Sequence, residues 1–230
     1  MKDTKVISLG GSLIAPQGVD IPFLQDFQTL IRNYLDQDPE RRLIFVTGGG
    51  GPARSYQEAY RRLVSAPEED QQDWIGIAAT RLNGRLIQGI FSDYAPDPLV
   101  IDPSGEVPFT GRVLVAAGWK PGFSSDFDAV LLAQKFSAPQ VINLSNIPRV
   151  YSGDPKKDPL AVPYDKMTFA QLQKLVGERW IPGNNVPFDP VATKKAGELG
   201  LTLIIAAGGD MKNLACLLTG GPFTGTLIQP

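Results

Sequence analysis

Apolar residues in this chain recur at two different periods. From Phe23 to Leu35 the positions Phe23, Leu24, Phe27, Leu30, Ile31, Tyr34 and Leu35 are spaced by three and four, which predicts an amphipathic helix. The same spacing predicts helices over 53–64, over 71–91 with Trp74, Ile75, Ala78, Leu82, Leu86 and Ile90 on one stripe, and over 125–136, 168–176, 190–199 and 211–218. Between them lie short apolar runs rich in β-branched residues: "KVISLGG", "RLIFVTGGGG", "PLVID", "RVLVAAGW", "PQVINLS", "LTLIIAA" and "GTLIQ". Several are apolar at every position, as strands buried on both faces are. Regular alternation of strand and helix predicts an α/β fold: an open, mostly parallel sheet with helices on both faces. Residues 148–166, with four prolines, predict a long loop or hairpin.

Length and composition narrow the picture. The 230 residues suit one large domain, and 43% hydrophobic with 20% charged residues is ordinary globular usage. A net charge of −2 gives no bulk attraction to nucleic acid or anionic membrane, so neither is an expected partner. One cysteine, no apolar run near ~20 residues and no leader pattern lead to an expected cytoplasmic location. With no histidine, a Ser-His-Asp triad, a histidine general base and a histidine metal site are excluded.

The candidate chemistry lies in glycine loops and aspartates. Three strand–glycine–helix turns occur, at Gly10-Gly11-Ser12, at Gly48–Gly51 and at Gly118–Ser125. Each is either a tight turn or an anion cradle built from backbone N–H groups; in a parallel sheet all three would share the carboxyl edge, where ligands bind. "GGGGPA" formally fits G-x-G-x-x-A, but no acid ends a strand about 20 residues on, as a dinucleotide fold requires, and no Walker sequence occurs. Ser125 with Asp128 fits a capping box. Asp126 is either a second first-turn acid or a ligand for an ion, and Asp189 before Pro190 is either an N-cap or its partner around a Mg²⁺.

In order and spacing, "LGGSLI", "VTGGGGPAR", "IGIAATRLNGRLI", "GWKPGFSSDFDAVLLA", "NLSNIPRVYSGDPKKDP", "FDPVATKKA" and "GTLI" resemble the amino acid kinase family, and within it the prokaryotic UMP kinases. The resemblance covers nearly the whole chain. It implies a sheet of about eight strands, an acceptor half near 1–136 and an ATP half near 137–230. It implies Mg²⁺-dependent transfer of the ATP γ-phosphoryl group to UMP in pyrimidine nucleotide synthesis, by a homo-oligomer, commonly a hexamer. By position, Gly10, Gly11, Ser12, Ser145, Asn146, Tyr151 and Asp154 would meet ATP. Gly49, Gly50, Arg54, Gly118, Gly122, Ser124 and Ser125 would meet UMP. Asp126 and Asp189 would be catalytic and close to the metal, directly or through water.

Three departures from the family stand out. Ser8 and Gly51 occupy positions where lysines are usual, and Pro148-Arg149 replaces Asp-Gly. The missing charge points to Lys120 or Arg149 at the transferring group, with Arg54 on the acceptor phosphate. The alternative is a non-catalytic nucleotide- or anion-binding relative, or a family member with another small acceptor.

Overall fold

The computed structural model describes residues 3–155, 157–179 and 186–230. In chain order the strands are β1 (Asp3–Leu9), β2 (Arg41–Thr47), β3 (Val113–Ala116), β4 (Gln140–Ser145), β5 (Val150–Tyr151), β6 (Pro163–Tyr164), β7 (Lys166–Thr168), β8 (Thr202–Ala207) and β9 (Thr226–Gln229). The helices are α1 (Gly11–Ile14), α2 (Ile21–Asp36), α3 (Gly50–Leu63), α4 (Glu69–Ile90), α5 (Ser125–Lys135), α6 (Phe169–Val176), α7 (Pro190–Glu198) and α8 (Met211–Thr219).

Seven strands form one sheet in the order β3-β2-β1-β4-β8-β9-β7, parallel except for the β8–β9 pair; β5 and β6 make a separate antiparallel ribbon. The expected strand "PLVID" contributes a single bridge, Val100 to Ala116, on the outer side of β3. Pro96, Pro98 and Pro103 surround it, and each lacks the N–H that a longer ladder needs.

Alternation along each strand divides the core in two. Ile7, Leu9, Leu43, Phe45, Ile204 and Ala206 face one cluster with α2, α4 and α8. Val6, Ile44, Val46, Leu203 and Ile205 face the other, with α5, α6 and α7. Helices thus cover both faces, as a buried parallel sheet requires. The predicted stripe on α4 divides differently. Leu86 and Ile90 pack on the core, but Trp74 and Leu82 are 44% and 67% exposed, and the buried positions are Asp73, Ile77, Asn83, Gly84 and Ile87.

β1 and β4 are parallel neighbours, and the chain leaves them in opposite directions, to β2 and to β8. Their carboxyl ends therefore open a crevice where the strand order reverses, the usual ligand position in such sheets. Gly10, just after β1, donates its N–H to Leu144 O of β4 at 2.9 Å and closes the floor of that crevice.

Candidate active site

The first two glycine loops pack on each other, backbone against backbone. A Cβ on Gly11 would lie 2.5 Å from the Gly48 carbonyl carbon and overlap Gly50 N; one on Gly48 would lie 2.6 Å from Gly11 N. A Cβ on Gly51 would strike the carbonyl group of Pro16. Three of the N–H groups in these loops are spent on structure: Gly10 on Leu144 O, Gly48 on Leu9 O and Gly51 on Ala15 O. The first-turn N–H groups of Gly11, Ser12 and Gly50 have no helical acceptor, which is general at helix starts. Asn83 of α4 fastens the second loop from behind, donating Nδ2–H to Gly48 O at 2.7 Å.

Arg54 joins the loops from α3. Its guanidinium donates to Ser12 Oγ at 3.0 Å and to Pro16 O at 3.2 Å. The cation expected on one loop is thus seated on the other, at their junction.

Asp126 connects three elements in this crevice. Oδ1 accepts from Ser8 Oγ at 2.9 Å, so the residue standing at the usual lysine position is a neutral donor to the candidate catalytic acid. Oδ2 accepts from Asp189 N at 3.1 Å. The residue keeps some exposed surface, but its carboxyl lies inside. Burial and then the nearby Asp189 charge push it up to about 6, against the Ser8 hydroxyl and the Asp189 N–H.

Asp189 caps α7, with Oδ1 accepting from Ala192 N at 2.6 Å and Pro190 in the first turn. It is only 3% exposed, and Oδ2 has no partner in hydrogen-bond geometry among the described residues. Its carboxyl is raised by burial; the Ala192 N–H, the nearby Ser124 hydroxyl and the Val191 N–H pull the other way. Capping and ligand roles are therefore compatible, one oxygen for each.

The third glycine loop is suspended from α4 and α5. Gly118 N donates to Thr80 Oγ1 at 2.8 Å, and Gly122 N, in a left-handed turn with φ +87°, donates to Asp73 Oδ2 at 2.9 Å. Arg81 grips Gly118 O and Trp119 O at 3.2 and 2.8 Å. The capping-box reading of Ser125 with Asp128 is corrected: the N-cap is Ser124, whose Oγ accepts from Phe127 N at 3.2 Å. Ser125 is the first helical residue, so Asp128 lies one position past the box and turns instead to Trp119 N, at 3.2 Å. Burial pushes Asp128 up to about 8, further than the Trp119 N–H can lower it.

The remaining expected residues are spread along the same edge and its ribbon. Ser145 ends β4 and Asn146 follows it, exposed; Tyr151 lies in β5, and Asp154 lies 3.9 Å from Lys157 in the turn beyond. Lys120 Nζ sits over the ring of Trp119, 3.9 Å from its centroid. Arg149 Nη1 pairs with Asp165 at 3.1 Å. Asp73, Thr80, Arg81 and Asn83 escaped the sequence reading. They lie among other polar residues of a mixed helix, so no local signal marks them, and only a known partner converts them into a role.

The donor set fits Mg²⁺. It offers two neighbouring carboxylates, one with a buried unpartnered oxygen, and Mg²⁺ characteristically takes one or two carboxylates together with substrate phosphates. Among the described residues no group of three or more acidic or sulfur ligands could enclose a metal unaided.

The amino acid kinase family model matches residues 3–207. The chain belongs to the amino acid kinase family. Among its relatives this amino acid kinase is 34% identical to the uridylate kinase of Methanospirillum hungatei, over 98% of this chain and 94% of the relative. It is 33% identical to that of Methanocorpusculum labreanum, over 97% and 94%. The crystal structure of uridylate kinase from Archaeoglobus fulgidus superposes with a TM-score of 0.81 at 33% identity, covering 99% of this chain and all of that one. UMP kinase from Bacillus anthracis, at 18% identity and TM-score 0.76, shares the fold.

Proposed function

We propose that this amino acid kinase transfers the γ-phosphoryl group of ATP to UMP, giving ADP and UDP. The observation that carries the reading is the full-length similarity to uridylate kinases, combined with Asp126 at the meeting point of β1, α5 and the start of α7. ATP lies over Gly10, Gly11 and Ser12 toward Ser145, Asn146, Tyr151 and Asp154, in the half built from about 137–230. UMP lies along Gly49, Gly50 and Arg54 and against the loop carrying Gly118, Gly122, Ser124 and Ser125, in the half from about 1–136. An oxygen of the UMP phosphate forms a bond to the γ-phosphorus as the bond from that phosphorus to the β–γ bridging oxygen breaks. No protein nucleophile takes part, so catalysis is positioning and charge stabilisation.

Asp126 and Asp189 would hold Mg²⁺ together with phosphate oxygens, directly or through water; when bound, the ion neutralises charge on the transferring group and lowers both carboxyls again. Arg54, which donates to Ser12 at the loop junction, would bind the acceptor phosphate. Lys120 and Arg149 are the candidates at the transferring group. Each would first have to leave an observed contact, Lys120 the Trp119 ring and Arg149 the Asp165 carboxylate.

A coupled assay with UMP, CMP, AMP and GMP tests the reading. UMP is expected to be favoured by more than tenfold in kcat/KM. Preference for a non-uridine acceptor sinks the substrate assignment, and ATP binding without turnover of any acceptor favours a non-catalytic role. The protein is further proposed to act in the cytoplasm, in pyrimidine nucleotide synthesis, as a homo-oligomer. Exposed Trp74 and Leu82 on α4 offer it an apolar contact face. Leu82→Glu is then expected to lower the molar mass seen by light scattering; an unchanged mass removes α4 from the interface.

A further inference from the structure

Asp128 is a buried acid with no part in the transfer just described. It is fully buried in the first turn of α5, Oδ2 accepts from Trp119 N, and Oδ1 has no hydrogen-bond partner among the described residues. An acid in the core with one unpaired oxygen is costly, and an apolar residue there would spare that cost. Its described side-chain bond is spent on one loop N–H.

That loop carries two aromatic rings, Trp119 and Phe123, which continue a row of tilted rings to Phe127 of α5, itself packed on the second core cluster. Trp119 packs on Phe123 with ring centroids 5.0 Å apart, Phe123 packs on Phe127 at 4.9 Å, and Lys120 lies over Trp119 and Phe123. Trp119 and the adjoining Lys120 take their places from where the Trp119 backbone stands, whereas Phe127 is fixed by α5. The Trp119 backbone is held at both ends of the residue, by Asp128 on its N–H and by Arg81 on its carbonyl.

We propose that Asp128 is a positioning residue for the acceptor: by anchoring Trp119 it sets the loop of Gly118–Ser125, with the Trp119 and Phe123 rings, against the bound nucleoside monophosphate. This rests on the reading that the loop receives UMP. Asp128 touches no substrate and acts through the loop.

Asp128→Ala removes the acceptor of the Trp119 N–H and an awkward buried group together. It is expected to raise KM for UMP about tenfold, to leave kcat and KM for ATP within about twofold, and not to lower the melting temperature. Asp128→Asn keeps a carbonyl acceptor for Trp119 N and is expected to return KM for UMP to within about twofold of wild type. Should Asp128→Ala fail to fold, Arg81→Leu releases the Trp119 backbone at its carbonyl end and is expected to raise the same constant. The proposal is overturned if Asp128→Ala leaves KM for UMP unchanged, if both substrates and kcat shift together, or if Asp128→Asn behaves like Asp128→Ala. Failure of the unmodified protein to phosphorylate UMP overturns the underlying reading, and the proposal with it.

Discussion

Asp126→Asn is expected to lower kcat by about a hundredfold or more, about 2.7 kcal/mol of barrier, while KM for both nucleotides stays within about threefold. The carboxylate faces a site where negative charge is concentrated and transferred, so its role is greatest in the transition state. Asn keeps the volume and an acceptor for the Ser8 hydroxyl or the Asp189 N–H, so the contacts joining β1, α5 and α7 survive in part. Ser8→Ala, which removes one of those contacts and leaves the charge, is expected to cost far less, on the order of tenfold. Steady-state kinetics with each substrate varied separates these outcomes. A kcat within threefold of wild type for Asp126→Asn would make Asp126 a structural tie between elements and nothing more.

Gly11→Ala is expected to destabilise the fold by about 3 kcal/mol, lowering the melting temperature by roughly 6–12 °C. The added methyl meets the backbone of Gly48 and Gly50, which no rotamer change can move aside. Gly89→Ala is the control. Gly89 lies within α4 with open space where its Cβ would go, and exchange there is expected to be neutral or stabilising by up to about 1 kcal/mol. Equal melting temperatures for the two variants would show that the loops can separate cheaply. The same contact bears on the missing charge. Gly51→Lys would place a lysine where the family resemblance leads one to expect it, but here its Cβ would run into Pro16, so the substitution is expected to destabilise before it can assist catalysis.

The order of elements was legible in the sequence because helix and strand periods are local. Each of the seven helices expected from spacing exists within a few residues, and six of the seven apolar runs form strands of the sheet, the exception being "PLVID". What failed was also local evidence, overruled by tertiary contacts. On α4 the apolar stripe said nothing of which side would meet the sheet, and Asp73 and Asn83 are buried because loop N–H and carbonyl groups await them there. The strands β5, β6 and β7 are two or three residues long, too short for a period to appear.

The sequence by itself determined the fold class and the residue types of the site: glycine loops, two acids at helix starts and no histidine. Only the tertiary structure decided how they are used. Ser8 meets Asp126 across 118 positions of chain, and Asp189 meets it across 63, distances over which no spacing rule operates. The four consecutive glycines suggest an anion, but what requires glycine at 11, 48 and 51 is the approach of one backbone to another. That demand arises when β1 and β2 lie side by side in register, Leu9 against Thr47, which delivers both loops to the same edge.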